Sequence, residues 1–344
     1  MCIRDRDTAS TSTLCALIAA REKASNFRVN QRGFEQKMTI YTSDQAHSSV
    51  EKGVKIAGYG RENLRYIPTD DNFAMIPEAL EEKIREDIKR GALPTCVVAT
   101  LGTTSSGAID PLKPIGEICA RYGLWLHVDA AYAGTAAILP EMKWMLDGLE
   151  YVDSFVFNPH KWMLTNFDCS AFFIKDEEKY VQAFSMQPEY LKTAQDRMVK
   201  NFRDWGIQLG RRFRALKLWF VLRAYGTSGL QAMVREHIRL AQLFRSWLEG
   251  NSLFEILAPT YFSLVCFRMK DGRPEEELNQ INRLLHERIN SSGKIFLTHT
   301  LLRGRYTLRF VVATWTTQEK HVRQAWEIIC QEAQKITSLK EPTV

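Results

Sequence analysis

The sequence predicts a two-domain α/β protein, a largely parallel helix-covered sheet followed by a smaller α+β domain. Three observations carry that prediction. Between about residues 38 and 175, short apolar β-rich runs alternate with amphipathic segments, the pattern of strand–helix–strand units. After Asn251 the order changes to strand, helix, two strands and a final helix. A chain of 344 residues is long enough for one large domain plus a small one.

Taken in order, Met1–Arg6 lacks the apolar centre of a signal peptide. Thr8-Ala9-Ser10-Thr11-Ser12-Thr13 reads as the cap of a helix carrying Leu14, Leu17 and Ile18. Strands are expected at Met38–Thr42, Leu64–Ile67, Cys96–Leu101, Trp125–Val128, Ser154–Phe157 and Ala171–Ile174. Helices are expected over Pro77–Lys89 and Pro114–Tyr122. The polar, weakly periodic stretch Ala183–Gly206 is too long for a routine connector and reads as a functional loop. Helices near Leu209–Tyr225 and Leu230–Leu248 complete a large domain over residues 1–250. The small domain, 251–344, carries strand Phe262–Arg268, helix Glu275–Ile289, strands Ile295–His299 and Tyr306–Val312, and helix Gln318–Ile336.

Composition narrows the function. The net charge of +6 is mild, and acids and bases are interspersed, as in Glu81-Glu82-Lys83-Ile84-Arg85-Glu86. That is a solvated surface and not a nucleic-acid-binding arm. No apolar stretch approaches the roughly 20 residues that span a bilayer, so no membrane partner is expected. The seven cysteines are isolated and form no CxxC pair, which points to a reducing, cytoplasmic compartment. No histidine spacing of the HExxH kind occurs, so no metal is expected.

In open α/β sheets ligands bind where strands end at their carboxyl side. Asp129 stands there, followed by the small residues Ala130 and Ala131. A strand-end Asp alone more often starts a turn. Lys161, in Phe157-Asn158-Pro159-His160-Lys161-Trp162, follows the next strand. A lone His-Lys pair is usually surface. Here Phe155, Phe157 and Trp162 predict a semi-buried ammonium, whose lowered pKa would make it a nucleophile. Thr8-Ala9-Ser10 offers helix-start amides and hydroxyls to an anion, or is a simple N-cap. Asn158 and His160 add donors, and Thr103 and Thr104 follow another strand. His47, just after strand Met38–Thr42, reads either as an imidazole facing a ligand or as a capping-region histidine. An anion cradle, an acid and an amine, in a compatible order along the chain, are what pyridoxal phosphate requires of a protein.

Five segments together carry a resemblance. They are Tyr41-Thr42-Ser43-Asp44-Gln45-Ala46-His47-Ser48-Ser49-Val50, Val98-Ala99-Thr100-Leu101-Gly102-Thr103-Thr104, His127-Val128-Asp129-Ala130-Ala131-Tyr132-Ala133-Gly134, Asn158-Pro159-His160-Lys161-Trp162 and Leu209-Gly210-Arg211-Arg212-Phe213-Arg214. From Thr8 to about the last helix, the sequence resembles the pyridoxal-phosphate-dependent aromatic-L-amino-acid decarboxylases, the group II decarboxylases. The resemblance implies the type I, aspartate aminotransferase-like transferase fold, with a mostly parallel seven-stranded sheet.

It also implies roles. Lys161 would hold pyridoxal 5'-phosphate as a covalent Schiff base, and Asp129 would pair with the pyridine nitrogen. His47 would stack on the ring opposite Ala131. Ala9, Ser10 and Asn158 would contact the phosphate, and Thr104 the ring oxygen. Tyr190 would deliver the proton to Cα after decarboxylation; relatives with Phe there resemble aldehyde synthases. Gly210 leaves space for an aromatic side chain, which favours Tyr, Dopa, Trp or Phe as substrate. A homodimer is implied. The alternatives are an aromatic aldehyde synthase on the same fold and an inactive fragment that only dimerises. Thr11 stands where the family has an acid, and Thr193–Asn201 is slightly short. Met1–Arg6 matches nothing in the family pattern and reads as a foreign junction on an N-terminally truncated chain.

Overall fold

The computed structural model describes residues 1–186 and 201–338. By packing, the chain forms two compact units. The first comprises Met1–Leu101 and Ile109–Gly226; the second comprises Gly102–Ala108 and the chain from Thr227 onward.

The first unit is built on a seven-stranded sheet. Its strands are β1 (Cys2–Arg6), β2 (Met38–Ser43), β3 (Leu64–Ile67), β4 (Leu93–Thr100), β5 (Trp125–Asp129), β6 (Ser154–Phe157) and β7 (Ser170–Ile174), in the spatial order β1-β7-β6-β5-β4-β2-β3. Pairs from β3 through β6 are parallel, whereas β7 runs antiparallel to both β6 and β1. All six residues of β2 and all five of β5 are buried, as expected for strands covered on both faces. The fold class therefore agrees with the sequence, and six of the strands lie where expected within a few residues. The addition is β1. Cys2–Arg6 pairs residue by residue with Ile174–Ser170 at the sheet edge.

The helices of this unit are α1 (Ala9–Ala24), α2 (Val29–Arg32), α3 (Ser49–Ile56), α4 (Pro77–Lys89), α5 (Leu112–Tyr122), α6 (Pro159–Trp162) and α7 (Glu177–Gln182). Their ends follow the sequence. Pro77 opens α4, where its missing N–H costs nothing. Gly123 closes α5 in the left-handed conformation, φ 70°. Most of α1 is buried, and its small residues Ala9, Ser12, Ala16, Ala19 and Ala20 allow close approach to the sheet. The expected helix from Leu209 starts only at Ala215. Gly210 is a poor helix former, and the segment is tethered instead: Arg211 Nη2 donates to the Asp5 carbonyl at 2.9 Å, and Arg214 grips Asp168 with both guanidinium arms.

Helix α8 (Ala215–Glu249) breaks at Gly226, whose φ of 64° is outside the helical range. In the second unit its latter part buries Leu230, Met233, Val234, His237, Leu240, Ala241, Phe244 and Leu248, a stripe of helical period. That stripe faces a four-stranded antiparallel sheet, ordered β10-β11-β9-β8, of β8 (Phe254–Ile256), β9 (Leu264–Met269), β10 (Thr298–Leu302) and β11 (Arg305–Val311). Helices α9 (Glu275–Ser291) and α10 (Glu319–Ser338) complete the core. Among the described residues no helix is long and apolar enough to cross a membrane.

Candidate active site

The candidate residues of the first unit are brought together by the direction of α1. Thr13, in its second turn, hydrogen-bonds His127 of β5 at 3.1 Å. Lys23, in its last turn, reaches Asp153 at the start of β6 at 3.3 Å. The helix therefore runs opposite to both strands, and its N-terminus lies at their carboxyl ends. Thr8 caps it by accepting from the Thr11 N–H. The amides of Ala9 and Ser10, ahead of the first intrahelical bond, open towards the same edge.

Asp129 ends β5 there. It is 4% exposed, and its Oδ1 accepts the Ala131 N–H at 3.0 Å, which turns the chain sharply after the acid. The next strand is locked to this turn. Ala130 N–H donates to the Val156 carbonyl at 2.9 Å, and Asn158 N–H to the Ala131 carbonyl at 2.9 Å. Asn158 is buried, and the Oδ1 end of its amide has no partner among the described residues. A bound ligand is the kind of group that satisfies such an atom.

Lys161 sits in α6, directly after that lock. Lys161 keeps part of its surface exposed, while the surrounding protein desolvates its amine and Trp162 beside it is fully buried. That desolvation lowers the Lys161 pKa, opposed by the charge of Asp129. Neutral amine is thus easier to populate than in a free lysine. His160 accepts the Cys169 N–H on Nδ1 at 2.9 Å, which leaves Nε2 as its donor when neutral. Burial, then the Lys161 charge, lowers its pKa as well.

His47 follows β2 and is exposed. Its Nδ1 lies 3.1 Å from the Ser49 N–H and 2.8 Å from the Ser49 hydroxyl. The contacts are those of the capping-region reading, with Nδ1 serving the start of α3. Thr104 lies in the loop Gly102–Ala108. Thr103 beside it is spent internally, with its hydroxyl 2.7 Å from that of Ser106 and accepting the Ala108 N–H, so the exposed hydroxyl is that of Thr104. Tyr190 lies outside the described residues. Gly210 is exposed, ahead of α8.

Sequence reasoning missed what holds these groups. Beneath Asp129, His127 is fully buried between Thr13 and Ser154, and Ser154 also receives the Trp125 indole N–H at 2.8 Å. Burial pushes the His127 pKa down to about 4, so the ring is neutral. Tyr132 stacks on Trp162, joining the turn after Asp129 to the helix of Lys161. An aromatic residue next to each motif was the only signal.

Comparison with known proteins agrees. Residues 5–270 match the family model described as the pyridoxal-dependent decarboxylase conserved domain. Tyrosine decarboxylase 2 of Narcissus pseudonarcissus is 47% identical over 95% of this chain and 66% of its own length. Phenylacetaldehyde synthase of Arabidopsis thaliana is 46% identical over 95% of this chain and 67% of its own. The crystal structure of Oryza sativa TDC with PLP and tryptamine matches at a TM-score of 0.94 with 38% identity, covering 97% of this chain and 70% of that one. The chain thus spans about two thirds of the length of these curated relatives. By these matches, the chain belongs to the pyridoxal-dependent decarboxylase family.

Proposed function

We propose that the chain is the larger part of an enzyme that decarboxylates an aromatic L-amino acid (Tyr, Dopa, Trp or Phe) to the amine and CO₂ with pyridoxal 5'-phosphate. The observation that carries this reading is the buried carboxylate of Asp129 at the end of β5, whose charge acts on the amine of Lys161 in α6, the helix that follows the adjacent strand β6. The residues suit the cofactor: an anion cradle, a buried carboxylate and an amine of lowered pKa. When bound, pyridoxal phosphate supplies an electron sink for the bond between Cα and the carboxylate.

The residues divide the remaining work. Lys161 would hold the cofactor covalently through its amine. Asp129 would keep a proton at the pyridine nitrogen, and the small Ala131 would leave room for the ring. Ala9, Ser10, Asn158 and His160 receive the phosphate, and Thr104 the ring oxygen. His47 covers the other face and directs Nε2 towards the substrate carboxylate. Tyr190 returns a proton to Cα.

A second copy of the chain completes the enzyme in this reading, as a homodimer. The first half of α8 leaves Leu216, Trp219, Phe220, Leu222 and Tyr225 exposed, and an apolar surface of that kind commonly marks an interface. All seven cysteines are free thiols, which supports a cytoplasmic setting. The likeness to a phenylacetaldehyde synthase keeps an aldehyde-forming reaction as the second reading.

Titrating the chain with pyridoxal phosphate, reducing with borohydride and mapping the adduct tests the cofactor site; label on Lys161 is expected. Assaying tyrosine, Dopa, tryptophan and phenylalanine for amine against aldehyde with peroxide then decides the reaction. Aldehyde as the sole product would overturn the decarboxylase assignment.

A further inference from the structure

We propose that Ser49 is a positioning residue that makes Nδ1 of His47 an acceptor, so that the ring carries its proton on Nε2 and presents that N–H as a fixed donor to the α-carboxylate of the amino acid. The assignment rests on the function proposed above and adds to it the group that sets the proton's place. A main-chain N–H can only donate. Its approach to Nδ1 at 3.1 Å therefore makes Nδ1 the acceptor, and the proton of the neutral ring must sit on Nε2. The Ser49 hydroxyl lies 2.8 Å from the same nitrogen and, with Nδ1 an acceptor, can only share that lone pair as a donor. Ser49 itself is 6% exposed at the first position of α3, so neither group is free to swing away. One helix start thereby does two things, spending an amide that has no intrahelical partner and turning an ambiguous imidazole into a one-way donor.

The test is the imidazole nitrogen spectrum of the full 344-residue chain labelled with ¹⁵N-histidine, with and without pyridoxal phosphate, His47 being identified by its loss in His47→Gln. The expected result is an unprotonated Nδ1 and a protonated Nε2. Ser49→Ala removes only the hydroxyl and is expected to keep that form. Ser49→Pro removes both donors at a first helical position that suits proline, and is expected to populate the Nδ1–H form. It should also raise KM for the amino acid several-fold with little change in cofactor affinity. A protonated Nδ1 in the unsubstituted chain, or a folded Ser49→Pro protein with an unchanged spectrum, overturns the proposal. If Ser49→Pro fails to fold, the spectrum of the unsubstituted chain still decides. Should that spectrum be as expected while no aromatic amino acid yields an amine, the role of Ser49 stands and the decarboxylase reading fails.

Discussion

Tyr132 and Trp162 lie face to face, with ring centroids 4.7 Å apart and planes 2° from parallel. One ring belongs to the turn that follows Asp129 and the other to the helix of Lys161, so the stack sets the spacing of acid and amine. Trp162 is fully buried. Its replacement by Ala should cost about 3–5 kcal/mol of stability, whereas Tyr132→Ala should cost only about 0.5–1.5 kcal/mol beyond the lost area. Both should weaken binding of pyridoxal phosphate. Thermal unfolding and cofactor titration check this; unchanged affinity in Tyr132→Ala would remove the stack from the site.

Gly134 approaches β6 so closely that an added Cβ would lie 2.4 Å from the Cβ of Phe157. Gly134→Ala should therefore destabilise by about 1–3 kcal/mol through overpacking. Phe157→Ala should not relieve it, because the offending atom remains. Phe157→Gly, costly alone, should show favourable coupling with Gly134→Ala in a double-mutant cycle of denaturant unfolding.

Two buried groups pull stability in opposite directions with pH. His127 is held at a pKa of about 4, below the usual 6.5, so its contribution is complete above pH 6.5 and is lost as pH falls towards 4. Asp110, buried with the Met75 and Thr100 amides as donors, is raised by desolvation from 3.8 to about 6. Its contribution is present at low pH and is lost as pH rises through 6. Each amounts to about 3 kcal/mol at ~1.4 kcal/mol per unit, so the two nearly offset between pH 4 and 6. Against the unsubstituted chain, Asp110→Asn should become more acid-sensitive and His127→Gln less so. Unfolding free energies at pH 4.5 and 7 measure the difference; equal slopes in all three proteins would rule out this balance.

Lys161→Ala should abolish the borohydride-stable adduct while leaving the fold intact, since the residue is exposed overall and packs into no core. Tyr190→Phe should keep the adduct and move product from amine towards aldehyde, read by chromatography and a peroxide assay. Amine alone from the Tyr190→Phe protein would remove Tyr190 from proton delivery.

The buried strands were legible because runs such as Met38–Ser43 and Trp125–Asp129 are apolar and bounded by turn residues. Strand β1 was not, since Arg4-Asp5-Arg6 reads as solvated chain, and Arg6 is buried only through hydrogen bonds to the Tyr180 hydroxyl and the Trp205 carbonyl. Asp129 and Lys161 could be picked out because each follows a strand and stands beside small or aromatic neighbours. The groups that orient them could not. Thr13 and His127 are 114 positions apart, and no local pattern announces that pairing. Ser49 reads as an ordinary helix-start serine until its amide is seen against His47. The residues proposed for chemistry carry local signatures, while those that fix geometry acquire their contacts only when distant segments meet.

The loop Gly102–Ala108 packs with the second unit, where Ser105 accepts a hydrogen bond from Thr300 at 2.9 Å and its carbonyl one from the Cys266 thiol at 3.2 Å. The polypeptide therefore passes into the second unit and back before entering it for good after Gly226. Neither unit is a contiguous cassette. Recombination at any single point would separate Ser105 from Cys266 and Thr300 or cut through a unit, so the two units are expected to be inherited, and to diverge, as one block.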